Sequence, residues 1–314
     1  MTGNPLRPAL RHVAARAGVP LVLALALTGC AGSGDPTPAS DRADDPTTSP
    51  SEQPAIESPA ESPSEPTTSA SPATKQALPL YFVGDGPDGP RLFREFHPGD
   101  GSDALTKVAA AIDGGASPLD ADYRTLWPGD TVTRVERTDE SIVVTLAGDA
   151  FTDAPDGMGR RQAQLAIQQL VYSLQGAAQA RLPLVFVRDS GEPRLFGLDV
   201  SRPVRQSSAL RVLNLVSITS PAEGASVPTG TLEVSGVANS FEASGPCQLA
   251  RQGDVVDLVP FVAEGWMGER LFPFTATFED VEPGTYVLTC STDDPTGGTE
   301  GIGAMSDTKV ITVS

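Results

Sequence analysis

The sequence predicts a mixed α+β domain followed by an all-β sandwich, behind an N-terminal stretch that cannot form a core. Two segments within residues 78–205 show the apolar spacing of helices, and from residue 217 onward apolar residues recur in short runs between turn residues. The stretch in front contains nine prolines and almost no large apolar side chain over residues 31–77, a composition that favours disorder. We therefore divide the chain into residues 1–29, 30–77, 78–205 and 217–314.

The α+β domain begins with a predicted hairpin. Residues 80–83 and 92–96 have the composition of strands, and the glycine- and proline-rich stretch between them predicts a turn. A first helix follows, with Ser102 as its N-cap and Gly114 as its C-terminal glycine. Two further strands, 132–135 and 142–146, come next and are joined through residues 138–140.

The second helix is the clearest element of the chain, because eight apolar residues fall on one stripe at helical spacing. They are Ala163, Ala166, Ile167, Leu170, Val171, Leu174, Ala177 and Ala178. Pro183 is predicted to close the helix, and residues 184–187 have the continuous apolar character of a central strand.

This domain resembles the GerMN domain of spore germination and sporulation proteins. The resemblance is carried by residues 127–130 (WPGD) before a strand pair and residues 169–174 (QLVYSL) on the second helix, and it covers roughly residues 78–205. It implies an α+β sheet with two helices and a non-enzymatic role in the cell envelope, linked to sporulation or germination. The loop 114–127 departs from the family pattern.

The C-terminal region contains seven or eight short apolar runs within 100 residues, which indicates a β-sandwich. The runs are Ile218, residues 232–234, Val237, and residues 247–249, 255–259, 272–278, 286–290 and 310–313. Residues 236–243 (GVANSFEA), the Ser220-Pro221 opening and residues 271–274 (LFPF) resemble the immunoglobulin-like domain found beside GerMN domains. That resemblance implies a protein-interaction module.

Residues 27–30, Leu27-Thr28-Gly29-Cys30, decide where the protein is expected to reside. Three arginines and no acidic residue precede an apolar run over residues 19–27 that is too short to span a bilayer. Thr28 and Gly29 are small, and the Cys30 thiol is the natural acceptor for a diacylglyceryl group. This segment resembles the lipobox of bacterial lipoprotein precursors, which are cut before the cysteine. It predicts a lipid anchor at the extracellular face of the cell membrane.

The two remaining cysteines, Cys247 and Cys290, are predicted to form a disulfide, because an exported protein enters an oxidising compartment. They lie 43 residues apart on strands that would face each other, as in the disulfide of immunoglobulin sandwiches. Tyr286 stands four residues before the second cysteine instead of two, so the antibody-type tyrosine corner is not matched.

The net charge of the chain limits the classes of partner that it is expected to bind. The formal net charge is -18, and most of it lies beyond residue 77. Such a surface repels phosphate backbones and anionic headgroups, so nucleic acid is not an expected partner and the membrane is reached through the lipid. Envelope proteins are the expected partners, with cell-wall glycan as the alternative.

The sequence shows no catalytic set and implies no cofactor. Downstream of the predicted signal segment the only histidine is His97, interpreted as an exposed turn residue, and no G-x-S-x-G motif accompanies it. Ser306 and Lys309 fit an S-x-x-K pattern but lead into a strand. An enzyme acting through an unrecognised pair of acids stays open, since two carboxylates need only meet in space.

The acidic turns are the best of the weak metal candidates, and we interpret both as solvated loops. One holds Asp149, Asp153 and Asp156, and the other holds Asp293 and Asp294. Neither has the alternating spacing of an EF-hand loop, so no metal ligand is assigned.

Trp266 and Met267 are the candidate binding residues, because they stand in a loop between Gly265 and Gly268. Two large apolar side chains on such a tip fit a binding hot spot, and packing of Trp266 over the sandwich core is the structural alternative. A glycan-binding protein would need an exposed aromatic platform, for which Trp127, Trp266 and Tyr123 are the candidates.

Overall fold

The structure is a computed structural model that describes residues 77–99, 102–294, 296–297, 299, 301 and 303–314. The predicted signal segment, the lipobox with Cys30 and the predicted tether up to residue 76 lie outside the described residues. Both predicted folded regions belong to one compact unit. Within the described part, no helix has the length and apolar character needed to cross a bilayer.

The first element is an antiparallel hairpin of β1 (Leu78–Gly86) and β2 (Gly89–His97). The predicted strand pair is confirmed, although the strands are longer and the turn between them shorter than expected. The hairpin forms a sheet of its own, and the backbone N–H of Tyr81 donates to Ser173 Oγ at 3.0 Å. Ser173 thus binds one backbone group on the edge of β1 that β2 leaves free, and Arg124 pairs with the same edge at Val83.

Helix α1 (Ala104–Asp113) begins one residue later than predicted. Its N-cap is Asp103, whose carboxylate accepts a hydrogen bond from the backbone N–H of Thr106 at 3.2 Å. Ser102 is therefore not the cap, because the Asp103 side chain makes the bond expected of it. Gly114 ends the helix as predicted.

A second sheet has the order β3 (Val132–Arg137), β4 (Ile142–Leu146), β5 (Leu184–Val187). Strands β4 and β5 are parallel, so a crossover joins them, and it contains α2 (Arg160–Ala178). The predicted strands and helix are confirmed. The helix ends at Gln179, which adopts a left-handed conformation with φ 51°, so Pro183 lies beyond its end and does not close it.

Helix α2 is buried on more sides than its apolar stripe predicts. Gln169 and Ser173 are fully buried beside the apolar residues. Gln169 Oε1 accepts a hydrogen bond from the backbone N–H of Leu126 at 3.1 Å, and Ser173 Oγ accepts the one from the hairpin. The polar side chains of α2 thus bind backbone groups of the elements packed around it, which lets the helix lie inside the domain. Two short strands, β6 (Arg194–Leu195) and β7 (Leu198–Asp199), and helix α3 (Ala209–Val212) follow.

In the C-terminal domain, the described residues form a sheet of eight strands in the spatial order β8-β10-β13-β12-β11-β14-β15-β9. Their bounds are β8 Val216–Ser220, β9 Ser226–Val227, β10 Gly230–Ala238, β11 Ser244–Arg251, β12 Asp254–Ala263, β13 Phe272–Val281, β14 Gly284–Ser291 and β15 Ser306–Val313. Strand β12 pairs along its length with β11, but only Val262 and Ala263 pair with β13. The sheet folds over at this narrow join, and its two halves enclose a core that includes Phe261, Phe274 and Phe278. The predicted sandwich is confirmed.

The disulfide between Cys247 and Cys290 is present, with the two Cα atoms 4.1 Å apart. Its place differs from the prediction. The two cysteines are direct partners on neighbouring antiparallel strands, β11 and β14, so the bond joins strands of one layer and does not bridge two facing layers. Both side chains are fully buried.

Tyr286 makes a hydrogen bond that its spacing did not predict. Its hydroxyl donates to the backbone carbonyl of Glu282, four residues upstream, at 2.9 Å. The bond has the form of a tyrosine corner, although the antibody spacing to the second cysteine is not matched. A bond of this kind depends on the turn between β13 and β14 and not on the distance to the cysteine.

Candidate functional site

His97 is half-buried and paired, so its interpretation as an exposed turn residue is wrong. Its Nε2 lies 2.8 Å from Glu95 Oε2. The Glu95 carboxylate also accepts hydrogen bonds from the backbone N–H groups of Leu119 and Asp120, each at 2.9 Å. Burial raises the pKa of Glu95, but the hydrogen bonds from His97 and the two N–H groups outweigh it and hold that pKa below its usual value. The Glu95 carboxylate, paired with His97, therefore fixes the loop 114–127 through the backbone N–H groups of Leu119 and Asp120.

The other sequence patterns occur in structural settings. Ser306 and Lys309 lie on β15 and not at the start of a helix. Asp153 pairs with Arg194 at 3.0 Å on the surface. Among the residues that the structure describes, no group of three or more His, Cys, Asp or Glu side chains is arranged to hold a metal ion.

Two of the three aromatic residues considered for a glycan platform are buried. Trp127 is only 2 % exposed, and its Nε1 donates to Asp113 Oδ1 at 2.9 Å and to Thr131 Oγ1 at 2.8 Å. Tyr123 is 8 % exposed and stacks on Phe93 with ring centroids 4.7 Å apart. An aromatic platform built on Trp127 and Tyr123 is excluded, because neither ring is accessible.

The candidate binding residues Trp266 and Met267 are exposed at a loop tip, by 38 % and 79 %. The Trp266 ring meets the ring of Phe241 edge to face, with centroids 5.3 Å apart, and Phe241 is itself 42 % exposed. Trp266 therefore does not fold over the sandwich core. The three side chains form one apolar tip.

The segment 236–243 holds this tip in place. Asn239 Nδ2 donates to the backbone carbonyls of Gly268 and Arg270, at 2.8 and 2.7 Å, and so ties the Trp266 loop to the end of β10. Ser240 Oγ donates to the carbonyl of Ser244 and accepts the backbone N–H of Asp293 at 2.7 Å. The most distinctive sequence of the C-terminal domain thus positions a surface loop.

The same segment also packs tightly against its neighbours. A Cβ at Gly236 would overlap both the carbonyl oxygen of Ser217 and the ring of Phe274, so only glycine fits between β8 and β13. Cβ atoms at Gly265 and Gly268 would lie 2.9 Å from the ring of Phe272, which explains the two glycines beside Trp266. The two glycines therefore let the loop backbone pack closely on Phe272, while the side chains of Trp266 and Met267 stay exposed.

Strand β12 carries further exposed apolar side chains. Val256, Leu258 and Val262 alternate along the strand and are 55 %, 60 % and 66 % exposed. Strand β12 ends three residues before Trp266, and we call these three side chains together with the tip the β12 apolar surface. Sequence reasoning missed it. The available signal was that all residues of 255–263 except Asp257 are apolar, which is more than the one buried face of a strand needs.

A buried ion-pair cluster joins the two domains. Lys309 on β15 places its Nζ 2.6 Å from Asp120 Oδ2 and 3.0 Å from Asp307 Oδ1. The same Nζ lies 2.7 Å from the hydroxyl of Tyr123. All four residues are buried. Asp120 and Tyr123 belong to the loop 114–127, so the loop that departs from the family pattern carries the contact with the C-terminal domain.

One lysine and several neutral hydrogen-bond donors bind the carboxyl groups of this cluster. Burial alone would lower the pKa of Lys309, but Asp307 and Asp120 outweigh it and raise that pKa above its usual value. Burial raises the pKa of Asp307, even though Lys309, the Tyr123 hydroxyl and the backbone N–H of Ile218 all bind its carboxylate. Two carboxyl groups therefore share one ammonium group, and neutral donors bind the remaining oxygen positions of Asp307.

Apolar contacts and hydrogen bonds complete the junction. Arg91 is buried on β2 and donates to the carbonyls of Leu210 and Leu213 at 2.8 and 3.0 Å, which fixes the segment between the domains. Leu271 of the Trp266 loop packs on a cluster formed by β2, α2 and α3. The domains are therefore joined through packing, ion pairs and backbone contacts and not through a free linker.

The fold and these surfaces define a two-domain, α+β and β-sandwich protein whose most exposed apolar feature lies on the sandwich. Comparison with known families identifies the two domains. Residues 79–182 match the family described as sporulation and spore germination, and residues 215–299 match the immunoglobulin-like domain of bacterial spore germination. Two separate parts of the chain thus match domain families described from sporulation and spore germination. No curated protein matches it.

Solved structures give weak likenesses. The tandem GerMN domains of the sporulation protein GerM from Bacillus subtilis match with 14 % identity over 46 % of this chain and 50 % of that chain, at a TM-score of 0.32. A putative lipoprotein from Clostridium perfringens matches with 18 % identity. The match covers 42 % of this chain and 87 % of that chain, at a TM-score of 0.28. The chain thus spans half the length of the GerM structure. TM-scores of this size carry no functional information.

Proposed function

We propose that this protein is a non-enzymatic interaction module of the cell envelope, of the sporulation and germination type. A lipid on Cys30 would hold it at the extracellular face of the membrane. The β12 apolar surface is the observation that carries the proposal, because several large apolar side chains exposed on one strand and on the loop that follows it are typical of protein contacts. The expected partner is another envelope protein with an apolar groove that receives Trp266.

The construction of the tip supports this function. Trp266 and Met267 are large apolar side chains of the kind that dominate binding energy at protein interfaces. Asn239 and the packing of Phe272 fix the loop before any partner arrives, so less conformational entropy is lost on binding. An exposed and pre-ordered tryptophan is costly on a surface that contacts only water, which favours a role in binding.

The buried carboxylates do not support an enzyme. Glu95, Asp120 and Asp307 are each bound by His, Lys, Tyr or backbone donors that belong to the fold. A general acid or base needs access to a substrate, whereas these groups are covered on all sides. Their arrangement supports a structural role.

Site-specific photo-crosslinking in the native envelope tests the proposal. A photoreactive residue at position 267 of the full-length protein is expected to capture a specific protein, and the same residue at position 187 is not. Val187 is a suitable control because it is also exposed but lies on β5, in the other domain. The adduct is expected to disappear in Trp266→Ala and in Leu258→Ser.

Three results would contradict the proposed function. Identical adducts from positions 267 and 187 would show that capture is nonspecific. Adducts that survive both Trp266→Ala and Leu258→Ser would place the contact elsewhere. Recovery of wall fragments without any protein would favour the glycan-binding alternative.

A further inference from the structure

A cleft of about 440 Å³ lies at the junction of the two domains, and none of its lining residues belongs to the β12 apolar surface. Tyr81 and Arg94 of the hairpin form one side, Tyr172 and Arg181 from α2 and its end form another, and Arg270 of the Trp266 loop closes it from the C-terminal domain. Clefts of this size between domains are common places for small-molecule sites.

The charge of the cleft is opposite to that of the protein. Three arginines line it, and none of its lining residues, all of which the structure describes, is acidic. The chain as a whole carries a net charge of -18. A local basic concentration in such a protein attracts anions and is not explained by the average composition.

Arg94 and Arg270 are held in place by partners other than carboxylates. Arg94 donates to Thr219 Oγ1 at 3.0 Å and stacks over the ring of Phe96, with its guanidinium carbon 4.7 Å from the centroid. Arg270 stacks over Phe272 at 4.6 Å in the same way. None of the three lining arginines forms an ion pair within the described part of the chain. Their charge is therefore available to a ligand.

Two unsatisfied polar atoms belong to the same cleft. Arg94 Nε and Asn214 Oδ1 are buried and have no hydrogen-bond partner in the described structure. Both residues line the cleft, and Asn214 is only 1 % exposed. One atom is a donor that needs an acceptor and the other is an acceptor that needs a donor. Neither atom is exposed to solvent, so a ligand in the cleft would reach them only if the Arg94 and Asn214 side chains move.

The tyrosine pair adds a surface for a ring. The rings of Tyr81 and Tyr172 lie 5.3 Å apart, and the Tyr172 hydroxyl donates to the carbonyl of Ser207 at 2.8 Å, which fixes the pair. Burial raises the pKa of Tyr81, although Arg94 and Arg181 oppose it, so its hydroxyl stays protonated as a donor. Aromatic rings beside guanidinium groups suit a sugar ring that bears an acidic substituent.

We propose that this cleft binds an anionic saccharide of the cell exterior, with a carboxylate or phosphate ester at Arg94, Arg181 and Arg270 and the sugar ring against Tyr81. Guanidinium groups recognise both anions through paired, charge-assisted hydrogen bonds. The site goes beyond the proposed protein contact and does not depend on it, because it uses other residues.

Calorimetric titration of the purified full-length protein tests this site. The probes are N-acetylmuramic acid, which carries a carboxylate, N-acetylglucosamine 1-phosphate, which carries a phosphate, and neutral N-acetylglucosamine. At least one anionic sugar is expected to bind about tenfold or more tightly than the neutral sugar, and the preferred one identifies the anion. Binding is expected to weaken as salt is added.

Variants locate the site. Arg181→Gln and Arg270→Gln are each expected to weaken the preferred sugar about tenfold. Arg134→Gln removes the same charge from an exposed position on β3 and is expected to leave binding unchanged. An unchanged melting temperature in all three variants shows that the fold is intact.

Several results would overturn the inference. Equal binding of neutral and anionic sugars would show that the arginines do not recognise the anion. No binding of any probe at millimolar concentration would show that the cleft is not a saccharide site. An effect of Arg134→Gln as large as that of Arg181→Gln would show a general charge effect. An acetylated dipeptide that binds more tightly than both anionic sugars would assign the cleft to peptide carboxylates instead. None of these outcomes bears on capture at position 267.

Discussion

Lys309 Nζ lies 2.6 Å from Asp120 Oδ2, although the two residues belong to different domains and are 189 positions apart. Both side chains are buried, so the contact is an ion pair removed from water. The same ammonium group also donates to Asp307 Oδ1 and to the hydroxyl oxygen of Tyr123. The relationship fixes how the sandwich sits on the α+β domain, and the first prediction follows from it.

Replacing Lys309 by Met is expected to destabilise the protein by about 3–5 kcal/mol, because Asp120 and Asp307 would stay buried without their cation. Chemical denaturation of the full-length chain measures the change. Arg134→Met, at an exposed surface pair, is the matched control and is expected to change stability by less than about 1 kcal/mol. A loss for Lys309→Met no larger than for the control would show that the junction does not depend on this cluster.

Stability is expected to fall in acid through Glu95. Its folded-state pKa lies below the usual value, so it contributes stability above its unfolded pKa of about 4.3, and this is lost as the pH falls through the folded pKa. Glu95→Gln is therefore expected to be less stable than the native protein at neutral pH and to lose less stability on acidification. Unfolding free energies measured from pH 7 to pH 3 test this, and parallel curves for the two proteins would refute it.

Removing the disulfide with the pair Cys247→Ala and Cys290→Ala is expected to cost about 4 kcal/mol, since the bond closes a loop of 43 residues in the unfolded chain. The melting temperature of the full-length protein should fall accordingly. Reductant should lower the melting temperature of the native protein but not that of the variant. Two free thiols in the native exported protein would contradict the pairing.

The two tryptophans are expected to differ in fluorescence. Trp127 is buried with both of its hydrogen bonds made inside the domain, whereas Trp266 is 38 % exposed. The Trp266→Phe variant should emit at shorter wavelength and resist quenching by acrylamide. The Trp127→Phe variant should emit at longer wavelength and be quenched readily. Equal quenching of the two variants would disprove the exposed tip on which the proposed function depends.

Lipidation is tested at Cys30. The precursor with Cys30→Ser is expected to stay uncut by the lipoprotein signal peptidase and to incorporate no labelled fatty acid, because the thiol that accepts the lipid is gone. Metabolic labelling and the apparent mass on a gel measure both effects. Fatty-acid labelling that persists in Cys30→Ser would exclude this lipobox.

Sequence patterns anticipated most of the elements but placed several side chains incorrectly. The stripe on α2 and the alternating runs after residue 217 predicted helix and strands correctly, because side-chain period reports which face of an element is buried. The predicted exposure of His97 is wrong, since the exposure of a residue at a strand end depends on what packs over it. The β12 apolar surface was missed because a run of apolar residues does not tell which face is left open.

The sequence by itself determined the kinds of domain, the order of their strands and helices, and the pair of cysteines that bond. These follow from local spacing and from the number of available thiols. Only the tertiary structure decided that Lys309 meets Asp120, that the disulfide joins neighbouring strands, and that three arginines line one cleft. Each of these contacts joins residues far apart in the chain, and their approach depends on how whole faces pack, which no local pattern encodes.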